Sequence, residues 1–444
     1  MEQDTLFPFD SPVFPEYHFF KNCTELGRLY DIIPWKALVK LLPVRKTLRG
    51  APPRLPLEGY FGLMFLKHYT SMSDEKLLAA FQSNWAYQMF CGCRLKVGQP
   101  IRDNAFVSRV RKYLATHCDM NEVQDILINA WKPKLKNTNV VLIDATCYEV
   151  HLRFPTDVKL LWESCCYLWE QQIPTLCKLS NIKPPRSTFK VQKAKQSSYF
   201  KKRRPGIKVT RKRRKSLVKL LGRGINQFQL LLDYSKAIHL TPSVAERFKT
   251  IKQVYLQQFY LLENNTTKVK DRIVSLSQPH IRPIIRGKEN KPVEWGIKAH
   301  IMQVDGINIV EHQSFNAFNE STRLKASYFK HKRVFGECTH LAADRIYPTN
   351  ANRRFCSKKK IQTNFVSKGK SGNDKNVKKI KGLLNKERST RLEGSFGTEK
   401  EHYGLKKIKA RSPETQIVWM YFGIFTANAV RIANKIQKIN RQAA

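Results

Sequence analysis

The stretch NVVLIDATCYEVHLR, residues 139–153, sets the fold class. Its first part, NVVLID (139–144), is short, β-branched and apolar and ends on an acid, while ATCYEVHLR (145–153) alternates as a half-buried strand does. Two adjacent sheet strands are expected here. Further along, WGIKAHIMQV (295–304), Asp305-Gly306 and INIVEHQSF (307–315) read as a hairpin, because Asp-Gly suits the positive φ angles of a tight reversal. CTHLAAD (338–344) and IQTNFV (361–366) add two short strands, with helices expected over 320–332, from Asn350, and near 390–403.

Outward from this sheet the period becomes helical. LEGYFGLMFLK (57–67) is apolar at helical spacing, and Ser73 can cap a helix in which Leu77, Leu78, Phe81, Trp85 and Phe90 form a stripe. In RDNAFVSRVRKYLATH (102–117), Phe106, Val110 and Leu114 recur every four residues, leaving Arg102, Arg109, Arg111 and Lys112 to make a basic face. Between the first strands and the hairpin, from Pro155 to about Lys270, helical spacing returns and predicts a helical insertion. The expected organisation is an α/β protein: an arm over 1–54, a helical DNA-binding domain over 55–136, a sheet domain made of 137–154 and 275–430, a basic helical insertion over 155–274, and a basic tail over 431–444.

The 444 residues carry 80 Lys plus Arg against 35 Asp plus Glu, a formal net charge of +45. With 42% hydrophobic and 11% aromatic residues there is ample material for buried cores, which excludes wholesale disorder. Such a charge makes a polyanion the expected partner. Between Arg186 and Gly224 there are sixteen Lys or Arg and no acid, including Lys201, Lys202, Arg203, Arg204, Arg211, Lys212, Arg213 and Arg214; from Arg353 to Arg388 there are thirteen against two acids. Both runs are expected to contact nucleic-acid phosphate. The N-terminal twenty residues mix Glu2, Asp4, Asp10 and prolines among aromatics, unlike a signal peptide, and the best apolar run, Ile417–Phe425, is too short to span a bilayer and reads as a buried helix. Ten cysteines without CxxC spacing argue against a zinc site or disulfide scaffold and suit a reducing cytosol.

Two carboxylates, Asp144 and Asp344, stand at the ends of apolar strands, and Glu393 lies on a helix with a stripe of Leu392, Phe396 and Tyr403. If the strands are neighbours and that helix crosses the sheet, the three acids converge and need cations to neutralise them. Hard divalent ions take oxygen ligands and serve phosphodiester chemistry. Spacing alone leaves plainer roles open: Asp144 as a turn cap, Asp344 as the start of the helix near Thr349, Glu393 as an ion-pair partner. Glu149, Asp157, Asp305, Glu399 and Glu401 are weaker candidates, and His151, His280, His300 and His402 form no spaced metal set.

IDATCYEVHLRFPTDVKLLWE, QPHIRPIIRGKENKPVEWGIKAHI, AADRIYPTNANRRFC and RLEGSFGTEKEHYGLKKIKAR resemble, in order and spacing, bacterial insertion-sequence DDE transposases of the four/five superfamily. LEGYFGLMFLKHYTSMSDEKLL and PIRDNAFVSRVRKYL resemble their N-terminal domain, so that the likeness covers about residues 55–430. It implies an RNase H-like catalytic domain with a mixed sheet flanked by helices, and Asp144, Asp344 and Glu393 as catalytic acids holding two Mg²⁺ or Mn²⁺ ions. It further implies a homodimer acting on double-stranded DNA, namely the terminal inverted repeats of the element and its target, in the bacterial cytoplasm at the nucleoid. Lys400 matches the lysine that follows the family's glutamate and is assigned to DNA phosphate. Some relatives carry Tyr and Arg seven and four residues before the glutamate; here Lys386 and Ser389 stand there, with Arg388 and Arg391 as substitutes. The implied activity is DNA cleavage and strand transfer; the alternative is a catalytically silent, transposase-derived DNA-binding protein.

Overall fold

The computed structural model describes residues 15–43, 54–95, 100–234, 239–286, 292–367 and 374–443. Among these residues six strands form: β1 (Val140–Glu149), β2 (Pro283–Ile285), β3 (Val293–Val304), β4 (Ile307–Ser314), β5 (His340–Ala343) and β6 (Gln362–Thr363). Two compact units divide the chain, Met1–His151 with Gly296–Ala444, and Leu152–Trp295.

The first unit holds the sheet, ordered β4-β3-β1-β5-β6. β3 and β4 run antiparallel to their neighbours, whereas β5 lies parallel to β1 and β6 parallel to β5. The result is α/β with large helical regions, as expected. The first stretch is one strand rather than two. Nothing between Asp144 and Ala145 can turn the chain, so β1 pairs with β3 without a break from Val141 to Glu149. Asp144 therefore sits mid-strand on β1, one step beyond the last pair with β5, Ile143 to Ala343. Asp344 is one step beyond the same pair. Parallel pairing thus sets the two acids side by side. The β3-β4 hairpin turns as its sequence dictates, with φ of 46° at Asp305 and 88° at Gly306. IQTNFV contributes only the two residues of β6.

Helices enclose this sheet unit. The helix Leu57–Thr70 packs against the long helix Pro413–Ala443, where Phe65 and Phe422 meet with ring centroids 5.3 Å apart. Every residue from 418 to 425 is buried, so the apolar run is core, and the helix continues through the segment expected as a tail. Helices Pro15–Cys23, Glu25–Ile32 and Trp35–Val39 likewise occupy much of the expected arm. The remainder of that arm, 1–14 and 44–53, lies outside the described residues. Arg111, expected on the basic face, is instead buried, paired to both oxygens of Asp74 at 2.9 and 3.0 Å and laid over the Trp419 ring. Among the described residues no helix is long and apolar enough to cross a membrane, and all ten cysteines are free.

The second unit is mainly helical and extends through residues 275–295, which the expected organisation gives to the sheet domain. Helix Ile207–Tyr234 is its axis. Leu217, Leu221 and Phe228 on one side pack with Leu161, Leu168, Phe248 and Ile251 from the neighbouring helices.

Candidate active site

Three elements of the sheet unit bring the acids together. β1 carries Asp144, the chain leaving β5 carries Asp344, and Glu393 begins the helix Glu393–His402. That helix follows a π turn, Arg388–Leu392, closed by the Glu393 N–H on the Arg388 carbonyl. A π turn stacks residues five apart, and such turns recur at functional sites. Here it places the Arg388 guanidinium on the same face as the Glu393 carboxylate.

Arg388 meets all three acids. Its Nη1 lies 3.0 Å from Asp144 Oδ2 and 2.8 Å from Glu393 Oε1, and its Nη2 lies 3.6 Å from Asp344 Oδ1. The three acids thus converge, and Arg388, expected to meet DNA, lies among them. Burial pushes the Asp144 carboxyl up to about 6; the Ala145 N–H, which donates to Asp144 Oδ1 at 2.8 Å, and Arg388 pull it down, while Glu320 and Asp344 push it up.

Neighbours fix these groups. Lys400 Nζ donates to Thr146 Oγ1 at 2.9 Å, on the face of β1 shared with Asp144 because side chains alternate along a strand. Glu399, a rival of Glu393 by sequence, is buried and accepts from Tyr148 Oη and from Asn308 Nδ2 at 2.6 Å, burial raising its carboxyl above the usual range. Glu401 is exposed and pairs with Lys406. Glu393 alone of the three faces the two aspartates. His300 is buried and bonded to Tyr347 Oη at 2.9 Å, a structural role.

A residue with no motif of its own also shapes the site. Where β6 ends, the Asn364 side chain takes over as a strand would: Oδ1 accepts from the Ala343 N–H at 3.0 Å, and Nδ2 donates to the Ala343 carbonyl at 2.8 Å. The same Nδ2 donates to Asn385 Oδ1 at 2.8 Å on the helix Lys375–Glu387, which leads into the π turn. Asn364 therefore ties the chain just before Asp344 to the helix just before Arg388. Its only sequence signal is a polar residue in an otherwise strand-like run.

By donor type the trio fits a hard divalent ion, since it offers carboxylate oxygens and already attracts a cation. Among the described residues no three His, Cys, Asp or Glu side chains are gathered tightly enough to ligate one ion as they stand, and the guanidinium is what lies between these three.

The other basic residues divide. Arg102, Arg109 and Lys112 are exposed, Arg109 pairing with Asp103, and Arg391 pairs with Glu387 at 2.7 Å. In the insertion Lys201, Lys202, Arg203 and Arg204 are exposed beside the helix Ile207–Tyr234, as are Arg211 and Lys212 on it. Two of the run turn inward, against expectation. Arg213 is buried and bonds Gln192 and Gln196, each at 2.6 Å, and Arg214 lies 3.4 Å from Asp157 and donates to Gln258. Lys208, Lys215 and Lys219, members of the same basic run, line the exposed face with Arg211 and Lys212.

An α/β sheet that brings together acids from a strand, from the chain just past its parallel neighbour and from a following helix is the arrangement expected of the DDE nuclease and transposase class. Residues 341–424 match the family model of a transposase DDE domain, and residues 15–113 match that of a transposase domain. The first covers Asp344, Glu393 and Lys400; the second reaches back into the segment expected as an arm. No curated protein and no solved structure matches the chain. Both matched segments are transposase domains, and together they support an insertion-sequence DDE transposase.

Proposed function

We propose that this transposase binds the terminal inverted repeats of its insertion sequence, hydrolyses a phosphodiester at each element end and joins the freed 3′ ends to target DNA. The convergence of Asp144, Asp344 and Glu393 on one cation carries this reading. Asp144, Asp344 and Glu393 would hold Mg²⁺ or Mn²⁺, two such ions when bound activating the attacking oxygen and stabilising the leaving one. In the first step water attacks phosphorus, the P–O3′ bond breaks, and the element keeps the 3′-hydroxyl. In the second that hydroxyl attacks a target phosphate in line and the target's own 3′ oxygen leaves, with no covalent enzyme intermediate. Lys400, anchored at Thr146, neutralises a phosphate beside the acids, and the exposed basic residues of both units hold the flanking duplex. Synapsis of two ends calls for a homodimer.

One observation favours a second reading, a catalytically silent DNA-binding protein: the Arg388 guanidinium stands among the three acids, at the point a metal ion would take. Cleavage of linear DNA bearing the element's own repeats separates the two. Cuts at the repeat ends that need Mg²⁺, stop in EDTA and vanish in Asp144→Asn support the transposase; tight binding with no cut under any of these conditions sinks it.

A further inference from the structure

We infer that Arg388 is the resident cation of this site, holding the three carboxylates together until a divalent ion displaces it. The inference rests on the reading of the trio as a metal site. Three ionised carboxylates and one guanidinium leave two negative charges uncompensated, so a divalent ion at the same point neutralises more charge than Arg388 can. The site is also open on one side. Asp144 and Arg388 have side chains 14% and 16% exposed, whereas Asp344 and Glu393 are 47% and 51% exposed, so an ion can reach the trio past the latter pair.

Arg388 has a place to go. It borders a cavity of about 360 Å³ whose other polar lining includes Asp344, Arg345, Lys386 and Ser389. Apart from Asp344 the charged groups there are cationic, so a displaced guanidinium would join Arg345 and Lys386 and face an anion. In this protein's chemistry that anion is a DNA phosphate. Ion loading and DNA engagement at Arg388 are then linked, each favouring the other, because linkage between two binding events is reciprocal.

The test is Mn²⁺ binding to the full chain without DNA, by calorimetry, for wild type, Arg388→Gln and Arg388→Lys, with thermal unfolding of each in EDTA and in Mn²⁺. Loss of the competing cation should tighten Mn²⁺ binding of Arg388→Gln by about tenfold, a size usual for coupled sites, with the lysine variant between it and wild type. In EDTA the glutamine variant should melt below wild type, and Mn²⁺ should raise its melting temperature by more. Equal or weaker Mn²⁺ binding by Arg388→Gln, or a lysine variant as tight as the glutamine one, overturns the inference and leaves the metal reading intact. No Mn²⁺ binding by any of the three overturns both. Should Arg388→Gln not fold, the lysine variant decides: binding no tighter than wild type overturns the inference.

Discussion

The main chain of Glu393 bonds the carbonyl of Arg388, five residues earlier, while the Arg388 guanidinium bonds the Glu393 carboxylate at 2.8 Å. The wide turn and the ion pair are one local arrangement. Deleting Thr390 would convert the turn to α-helix and rotate Glu393 by about 100° relative to the preceding helix. We expect such a protein to bind DNA with near wild-type affinity yet cleave at least about 100-fold more slowly, as a misplaced catalytic group does. Comparing a mobility shift with a single-turnover cleavage assay checks this; wild-type cleavage would show that the turn's register is irrelevant.

The Asn364 clamp predicts a split between two conservative changes. Asn364→Leu leaves the buried Ala343 N–H without its partner, which should cost about 1–3 kcal/mol in urea unfolding and should slow cleavage by loosening the path to Asp344. Asn385→Asp keeps the acceptor that Asn364 uses and should be nearly neutral in both assays. A neutral Asn364→Leu would refute the clamp.

Burial of Asp144 has a pH signature. Its carboxyl titrates near 6 in the folded protein and at an ordinary value of 3.8 otherwise, so the ion-free protein loses stability as pH rises between those two values and does not regain it above. Asp144→Asn removes that loss. In EDTA at pH 7.5 or so it should be more stable than wild type by up to about 3 kcal/mol, the two converging near pH 4, since tenfold in an ionisation constant is about 1.4 kcal/mol. Denaturant melts over this pH range measure it. The same titration implies that a divalent cation binds more weakly as pH falls towards 6 and below, because protons compete with it for the Asp144 carboxylate.

The insertion helix separates charge that binds from charge that builds. Replacing Lys208, Arg211, Lys212, Lys215 and Lys219 by alanine should flatten the log–log salt dependence of DNA affinity by up to about 4.5, at about 0.9 for each phosphate left without its cation, with little change in stability. Arg213→Ala should do the reverse: an unchanged salt slope, but about 2–3 kcal/mol less stability as its hydrogen bonds to Gln192 and Gln196 disappear. Identical salt slopes for the five-alanine variant and wild type would exclude this face as a phosphate track.

Local chemistry is legible where it acts over a few residues. Asp305-Gly306 announces its hairpin, the acids at 144, 344 and 393 stand out against apolar neighbours, and helical spacing marks the insertion. What escapes depends on distant partners. Asp144 and Ala145 read as a strand boundary because polarity changes there, yet β3 pairs straight through. Charge alone cannot tell which face a long arginine chooses: Arg111 is drawn inward by Asp74, Arg213 by two glutamines, and Arg388 by acids 244 and 44 residues away. Asn364 is invisible because a side chain does the work of a missing strand.

The helix Pro413–Ala443 reaches residues that precede it by hundreds of positions: Phe422 lies against Phe61 and Phe65, Trp419 against His68 and Arg111, and Tyr421 Oη donates to Asn121 at 3.1 Å. Helices made early on the ribosome therefore lack part of their core until this late one is made. A nascent chain would expose Phe61, Phe65 and their neighbours as sticky surface through most of synthesis, and pairings so far apart in sequence form slowly. A chain that stops short of this helix would keep that apolar surface uncovered, the condition under which partly folded chains aggregate.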